Sequence, residues 1–469
     1  LVVVSTPNQE SAFRVFSVMN SRGLDLLPTD IIKSMTIGKM PKDEEQKYTE
    51  KWEELENLTG RDGFNEVFTH TRTIFAKERP KKNLLDEFKE YVIKQTSPKS
   101  LVDEYLIPYT EAYVCLKNCD FSSTQNAEEI NELLLWLNKT NNHDWMPPAI
   151  KFLTDHKNDS VYILWFIRKL ERLASYLLVT AKDVNQRMER YKWILVEMES
   201  RPDNNLTAPL ENIELQFIDA LNGEIYSMTA KRRNYIIQRL DSFLSDGGAT
   251  YNTKLFTIEH VLPQHPSGDS EWMKLWPDTQ TQRFWLNKIA NQVPLTRQRN
   301  SAAQNYDFNT KKIKYFQSKN GTSSYTLTTQ VINIAAWTPE VVEARQKDLE
   351  EIFISKWDLK ISKENSSENP IYKLAGRGGN ASGYSLDGDN FVVMKGSHIA
   401  PDITDGLQTG YLILRNQLIA DGMIVDGTFK EDYTFTSVSA AAVVILGRSA
   451  NGRTEWTKLD GRTFAQVGH

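Results

Sequence analysis

Apolar positions along this chain recur at helical spacing for most of its length and at strand spacing in only a few places. Phe13, Phe16, Val18 and Met19 form a first helical run. Asn20 to Gly23 ends it, with Gly23 suited to a left-handed terminating position. Pro28 and Thr29 mark the start of the next helix, with Asp30 in its first turn. From Met40 to Asp246 the pattern is almost entirely helical. Lys42 to Asn57 carries Tyr48, Trp52 and Leu55 on one stripe; Leu101 to Leu116, Ala127 to Trp136, Val161 to Leu178 and Val184 to Met198 follow. The Val161–Leu178 run is apolar nearly all round, which predicts a central place in a helical bundle. Tyr235, Ile236, Leu240, Phe243 and Leu244 make the last stripe before Gly247 and Gly248 stop the helix.

Downstream, Thr257-Ile-Glu259-His260-Val-Leu-Pro263 reads as a β-branched strand that ends at a proline. Pro339 opens a closing helix to Trp357, with Val342, Leu349, Ile352 and Phe353 facing inward. The polar Ser362–Asn369 stretch and the glycine-rich Arg377–Gly383 stretch have the composition of a linker, placed at 361–380. Tyr384–Leu386 and Phe391–Met394 predict strands around an Asp387-Gly388-Asp389 turn, and Leu412–Asp421 a helix stopped by Gly422. Ser437 is the expected N-cap of the small-residue helix Ala440–Val444. Asn451-Gly452, Trp456 and Asp460-Gly461 predict a final hairpin. Residues 381–469 therefore read as a small α+β domain with no acid–base constellation, a binding module.

At 469 residues the chain is too long for one core and suggests about three domains. Charged residues at 25% and apolar ones at 40% are ordinary for a globular protein, and no apolar run reaches membrane-spanning length. The opening Leu-Val-Val-Val has no basic leader and no initiating Met, so the expectation is a chain that begins inside a longer polypeptide. A net charge of −5 argues against coating DNA by bulk charge, so any contact falls to local patches. Arg297, Arg299, Lys311, Lys312 and Lys314 form one such patch. Cys115 and Cys119 stand four apart in a helical pattern with no second pair and no nearby His, which argues against structural zinc and a disulfide framework and for a reducing compartment. No phosphate-cradling glycine loop of the Walker type is present.

The chemistry concentrates around Glu259 and His260. On a strand, neighbouring side chains project to opposite faces, so the carboxylate and the imidazole can serve different partners. Asn291 and Asn300 follow in Asn-Gln-Val-Pro-Leu-Thr-Arg-Gln-Arg-Asn, and then Phe308 and Lys311. This order and spacing resembles the HNH (ββα-metal) nuclease cassette. Phosphodiester hydrolysis needs an activated water, charge neutralisation at phosphorus and help for the leaving oxygen. The resemblance implies His260 as general base, Asn291 as the residue that orients it, Glu259 and Asn300 as ligands of one metal ion, and Lys311 against the phosphate. Oxygen ligands favour Mg²⁺ or Mn²⁺ over zinc. His265, in the following loop, reads as a surface residue. Asn291 and Asn300 also suit helix capping.

Two further stretches resemble GmrSD-type (type IV, modification-dependent) restriction and anti-phage proteins. Residues 12–33, Ala-Phe-Arg-Val-Phe-Ser-Val-Met-Asn-Ser-Arg-Gly-Leu-Asp-Leu-Leu-Pro-Thr-Asp-Ile-Ile-Lys, are similar to the tail of their ParB-like N-terminal domain, and residues 257–315 to their HNH domain. Residues 381–464, especially Phe435 to Gly452, are similar to an uncharacterised domain appended to nucleases. The domain expectation is a ParB-like tail with a helical region over 1–246, an HNH domain with its closing helix over 247–360, the linker at 361–380 and the small domain over 381–469. The fold expectation is multidomain and mainly α, with a helical bundle, a ββα-metal domain embedded in helices and a small α+β domain. The family's Asp-Gly-Gln-Gln-Arg motif is absent, so hydrolysis of a nucleoside triphosphate would need the upstream segment. Asn20, Arg22 and Asp30 match a later family motif lining that pocket; their plainer role is helix termination and capping. Ala290 stands where the family usually has Gly.

The expected function is a metal-dependent DNA endonuclease acting on modified or phage DNA, in the cytoplasm of a bacterial or archaeal cell, with no membrane partner. The alternative is a non-catalytic DNA-binding or regulatory module in which the cassette is only structural. One such site cuts one strand, so double-strand cleavage requires a homo-oligomer or two events.

Overall fold

The computed structural model describes residues 27–200, 210, 213–245, 251, 256–299, 305–318, 321–359, 371–386, 390–458 and 463–467. The first predicted helical run, Gly247–Gly248 and the two turns at Asp387–Asp389 and Asp460–Gly461 lie outside these residues. The chain is mainly helical with a small sheet region near its C-terminus. It parts into two compact units, Leu1–Glu211 and Asn212–His469.

In the first unit Pro28–Ile37 begins the described chain, and Lys42–Ala76 is a long helix broken at Gly60, whose φ of 70° and ψ of 164° suit only glycine. Trp52, Phe64 and Phe68, drawn from both sides of that break, meet with ring centroids 5.0–5.6 Å apart. Ala127–Lys139, Ser160–Val179 and Val184–Ser200 form where the periodicity places them. Asp159 caps the second of these by accepting from the Tyr162 amide at 2.9 Å. That helix is buried without interruption from Leu170 to Val179, as its apolar circumference predicts. Each fully buried Leu, Ile or Phe there contributes roughly 1.5–3 kcal/mol. The Leu101–Leu116 run departs from expectation: Leu101–Leu106 is π-helical and Ile107–Asn118 is α-helical. Pro108 explains the change, because it lacks the N–H that would continue the upstream ladder.

In the second unit, strand β1 (Phe256–His260) pairs antiparallel with strand β2 (Gln292–Thr296), placing Glu259 opposite Val293 and His260 opposite Gln292. Trp272, Trp276, Phe308, Trp337 and Val342 pack with Val261, Leu262, Val293 and Leu295 into one core beside this ribbon. The Ala230–Leu244 and Thr326–Ile332 helices are joined through Asp241, whose carboxylate accepts from the Leu327 amide at 2.8 Å and the Tyr251 hydroxyl at 2.9 Å. The Pro339–Lys356 helix closes this region, with Thr338 as its cap.

The stretch read as linker is half structure. Ile371–Gly376 and Gly379–Ser385 are antiparallel strands, joined through Arg377 (φ 53°) and Gly378 (φ 85°). Both residues are left-handed, as tight two-residue hairpins require, so Arg377 and Gly378 make a turn and not a spacer. With Phe391–Val393, Tyr433–Phe435 and Thr457–Lys458 the two strands build a five-stranded antiparallel sheet, Thr457–Lys458 and Tyr433–Phe435 lying at its edges. The Val438–Leu446 helix packs against it, capped by Ser437, which accepts from the Ala440 amide at 3.0 Å. The final segment also differs from expectation, since Asn451 caps a short helix at Gly452–Glu455 before the last strand. At Gly383 a Cβ would stand 2.4 Å from Phe391, so only glycine lets these strands approach.

Candidate functional site

Strand β1 delivers Glu259 and His260 to one end of the ribbon, and the alternation of the strand separates them: His260 is buried, Glu259 half-buried. The Glu259 carboxylate receives the Lys311 ammonium, Nζ to Oε1 at 2.6 Å, and the same Nζ donates to the His260 carbonyl oxygen at 2.7 Å. Lys311 comes from the short Phe308–Lys311 helix, and its side chain is 0% exposed. Burial pushes the Glu259 carboxyl up and the Lys311 ammonium down, while their contact opposes both shifts. The pair is neutral as a unit.

The His260 ring stands edge-on to Tyr226 at 4.1 Å between centroids, and its Nε2 lies 3.4 Å from Asn287 Oδ1. Burial lowers its pKa to about 4, against the raising effect of Asn287; the positive charges of Lys311 and Arg233 add to the lowering. The imidazole is therefore neutral near pH 7. With Nε2–H turned to Asn287, Nδ1 carries the free lone pair. Arg233 lies 4.5 Å above the Tyr226 ring and donates to the Tyr226 carbonyl at 3.0 Å.

Asn291 does a different job. Its Oδ1 accepts from the Leu262 amide at 2.7 Å and from Trp337 Nε1 at 3.1 Å, and its Nδ2 donates to the Leu262 and Leu286 carbonyls, both at 3.0 Å. All four hydrogen-bonding positions of the amide are used on this scaffold. The turn carrying it is clamped by the closing helix: Gln346 accepts from the Ala290 amide at 3.1 Å, and Arg345 donates to the Ala290 carbonyl at 3.2 Å. Ala290 is fully buried in a short 3₁₀ turn, a conformation that does not call for glycine.

Residues 212–352 match the family model of the C-terminal domain of GmrSD restriction endonucleases. That match supports a GmrSD-type restriction endonuclease family and a nuclease enzyme. The matched segment contains Glu259, His260, Asn287, Asn291 and Lys311 together with the closing-helix clamp. Residues 372–468, which hold the five-stranded sheet, match a domain of unknown function (DUF4357). No curated protein matches the chain.

Measured against this geometry, the expected roles divide. Glu259 and His260 are consecutive on β1, with the alternating burial that the strand predicts. Asn291 does not orient His260; its amide is spent on the loop after β1, and Asn287 takes the place beside the imidazole. Lys311 is not a surface phosphate contact, because it is sealed beneath Glu259. Of the remaining patch, Arg297 and Lys314 are exposed, whereas Arg299 and Lys312 are half-buried and donate to the Phe316 and Ile334 carbonyls at 3.2 and 2.7 Å. Asn300 lies outside the described residues, as do Asn20 and Arg22. Asp30 caps its helix, accepting from the Leu27 amide at 2.8 Å, and pairs with Arg61 at 3.1 Å. His265 is exposed, as expected. Tyr226, Arg233 and Asn287 escaped the sequence reading, and only the position of Asn287 four residues before Asn291 hinted at any of them.

Among the described residues no group of three or more His, Cys, Asp and Glu side chains could hold a metal ion. Glu259 offers hard oxygen donors suited to Mg²⁺ or Mn²⁺, and would hold such an ion while sharing its carboxylate with Lys311. Among the described residues no helix is long and apolar enough to cross a membrane.

Proposed function

We propose that the chain is a metal-dependent DNA endonuclease of HNH type that restricts modified or foreign DNA, with His260 as its general base. The observation that carries this reading is a neutral imidazole, held by Asn287, one residue after Glu259 on strand β1 and inside the segment matched to GmrSD restriction endonucleases. His260 Nδ1 takes the proton from the attacking water, and Asn287 fixes the ring tautomer during the transfer. A Mg²⁺ or Mn²⁺ ion bound by Glu259 and Asn300 would neutralise the phosphate and the departing oxygen. Lys311 holds the Glu259 carboxylate in place, and Arg297 and Lys314, both exposed, would face the DNA backbone.

The test is nicking of supercoiled plasmid, with modified and unmodified phage DNA in parallel, in Mg²⁺, Mn²⁺ or EDTA. Cutting that needs metal and disappears in His260→Ala, with the fold intact, is the expected result. Full activity in that variant defeats the proposal. A non-catalytic DNA-binding or regulatory module is the second reading, favoured by the Lys311 ammonium already seated on Glu259. Calorimetric titration with Mn²⁺ separates the two: binding lost in Glu259→Gln, with turnover, leaves only the enzyme.

A further inference from the structure

Arg233 reaches the imidazole through Tyr226, and the protein leaves half of its guanidinium unused. It lies in the first turn of the Ala230–Leu244 helix, behind Lys231 and Arg232, and no acidic residue shares that turn. Positive charges there oppose the helix dipole, so the local electrostatics of the helix does not account for them. Arg233 is half-buried. Its Nη1 donates to the Tyr226 and Met228 carbonyls at 3.0 and 3.5 Å, and the guanidinium lies 4.5 Å over the Tyr226 ring. Nε and Nη2 take no partner among the described residues, and both reach solvent.

Other cations around the site are already engaged. Lys311 is paired with Glu259, and Lys288 donates to the Asn222 carbonyl at 2.7 Å. No carboxylate among the described residues pairs with Arg233. The plane of its guanidinium is fixed all the same, because Tyr226 is fixed. The Tyr226 amide donates to the Asn287 carbonyl at 3.0 Å, and its ring stands 4.1 Å from that of His260. Nε–H and one Nη2–H lie along the same edge of a guanidinium and point the same way. Two such parallel donors match two oxygens of one phosphate.

We propose that Arg233 grips a backbone phosphate of bound DNA through Nε and Nη2, beside the bond that is cut. The inference rests on the nuclease reading for where the DNA lies. Such a contact sets the register of the strand on His260 without reading its bases.

Fluorescence anisotropy of a labelled duplex, in EDTA so that nothing is cut, tests it on the full chain over a series of NaCl concentrations. Plasmid nicking in Mg²⁺ or Mn²⁺ runs beside it, with His260→Ala. Loss of one phosphate contact lowers the slope of log K against log salt by about 0.9, so Arg233→Gln should show that reduction. Its binding at low salt should be about tenfold weaker, with circular dichroism unchanged. Arg233→Lys keeps the charge and should keep the slope, while losing part of the affinity with the fork. Three results overturn the proposal: no duplex binding by the folded chain, a slope unmoved in Arg233→Gln, or a slope that falls equally in Arg233→Lys. Binding that depends on Arg233 in a chain that never nicks DNA upholds the contact and defeats the nuclease reading. Nicking lost in His260→Ala, with a slope untouched by Arg233→Gln, does the reverse.

Discussion

Lys311 Nζ sits 2.6 Å from Glu259 Oε1, and no part of the lysine side chain reaches solvent. A buried ion pair is a weak source of net stability, but removal of one partner strands the other, at a cost of about 3–5 kcal/mol. Lys311→Met should therefore lower unfolding free energy by about that much, read from urea midpoints. In Glu259→Gln/Lys311→Met the loss should be smaller than the sum of the single losses. A lysine serving only DNA phosphates would leave stability unchanged and weaken DNA binding instead.

Asn291→Ala should also be primarily a stability variant. It leaves the Leu262 amide and carbonyl and the Trp337 indole N–H without their partner, inside a fully buried site. A loss of about 2–4 kcal/mol is expected, given about 1–3 kcal/mol per orphaned group and partial relaxation. Thermal and urea denaturation check it; a melting temperature equal to that of the parent contradicts the scaffold role.

Asn287→Ala should behave in the opposite way, with stability almost unchanged and cleavage slowed on the order of tenfold or more, because the base loses its orientation. Asn287 raises the pKa of His260, so the acid limb of the rate profile should move to lower pH in the variant. An unchanged profile with an unchanged rate means that the imidazole is held by something else.

Acid should destabilise the helical unit through His70. Folding lowers its pKa from 6.5 to about 4, so the neutral form is the one the fold favours. The associated stability is fully present above pH 6.5 and is lost as pH falls towards 4, at about 1.4 kcal/mol per pH unit in that window. His70→Gln should flatten this part of the stability profile relative to the parent. Equal slopes for the two proteins between pH 6.5 and 4.5 would rule it out.

The Glu259–His260 strand was legible because β alternation and a terminating proline are local signals. So were Ser437 as a cap and the apolar circumference of Ser160–Val179. Asn291 was legible as a residue that matters, but its role was not, since its partners are backbone atoms of other loops. Lys311 misled for a related reason: a lysine in a basic run normally faces water, and only the tertiary fold supplies the carboxylate and carbonyl that let it go inside. Tyr226 and Arg233 reach the site from an upstream turn and helix, with no spacing to announce them. The Arg377–Gly379 glycines show the limit of composition, which does not distinguish a flexible spacer from a left-handed hairpin turn.

The break at Gly60 turns the first long helix back on itself, and Trp52 holds its two halves together against Phe64 and Phe68. A residue inserted before Tyr48 lengthens only the outer end of the first half and leaves that aromatic contact in register. One inserted between Gly60 and His70 has no corner to absorb it further along the helix. It turns the buried His70 and Thr71 by about 100° and advances them by about 1.5 Å, which carries them out of the interior of the helical unit.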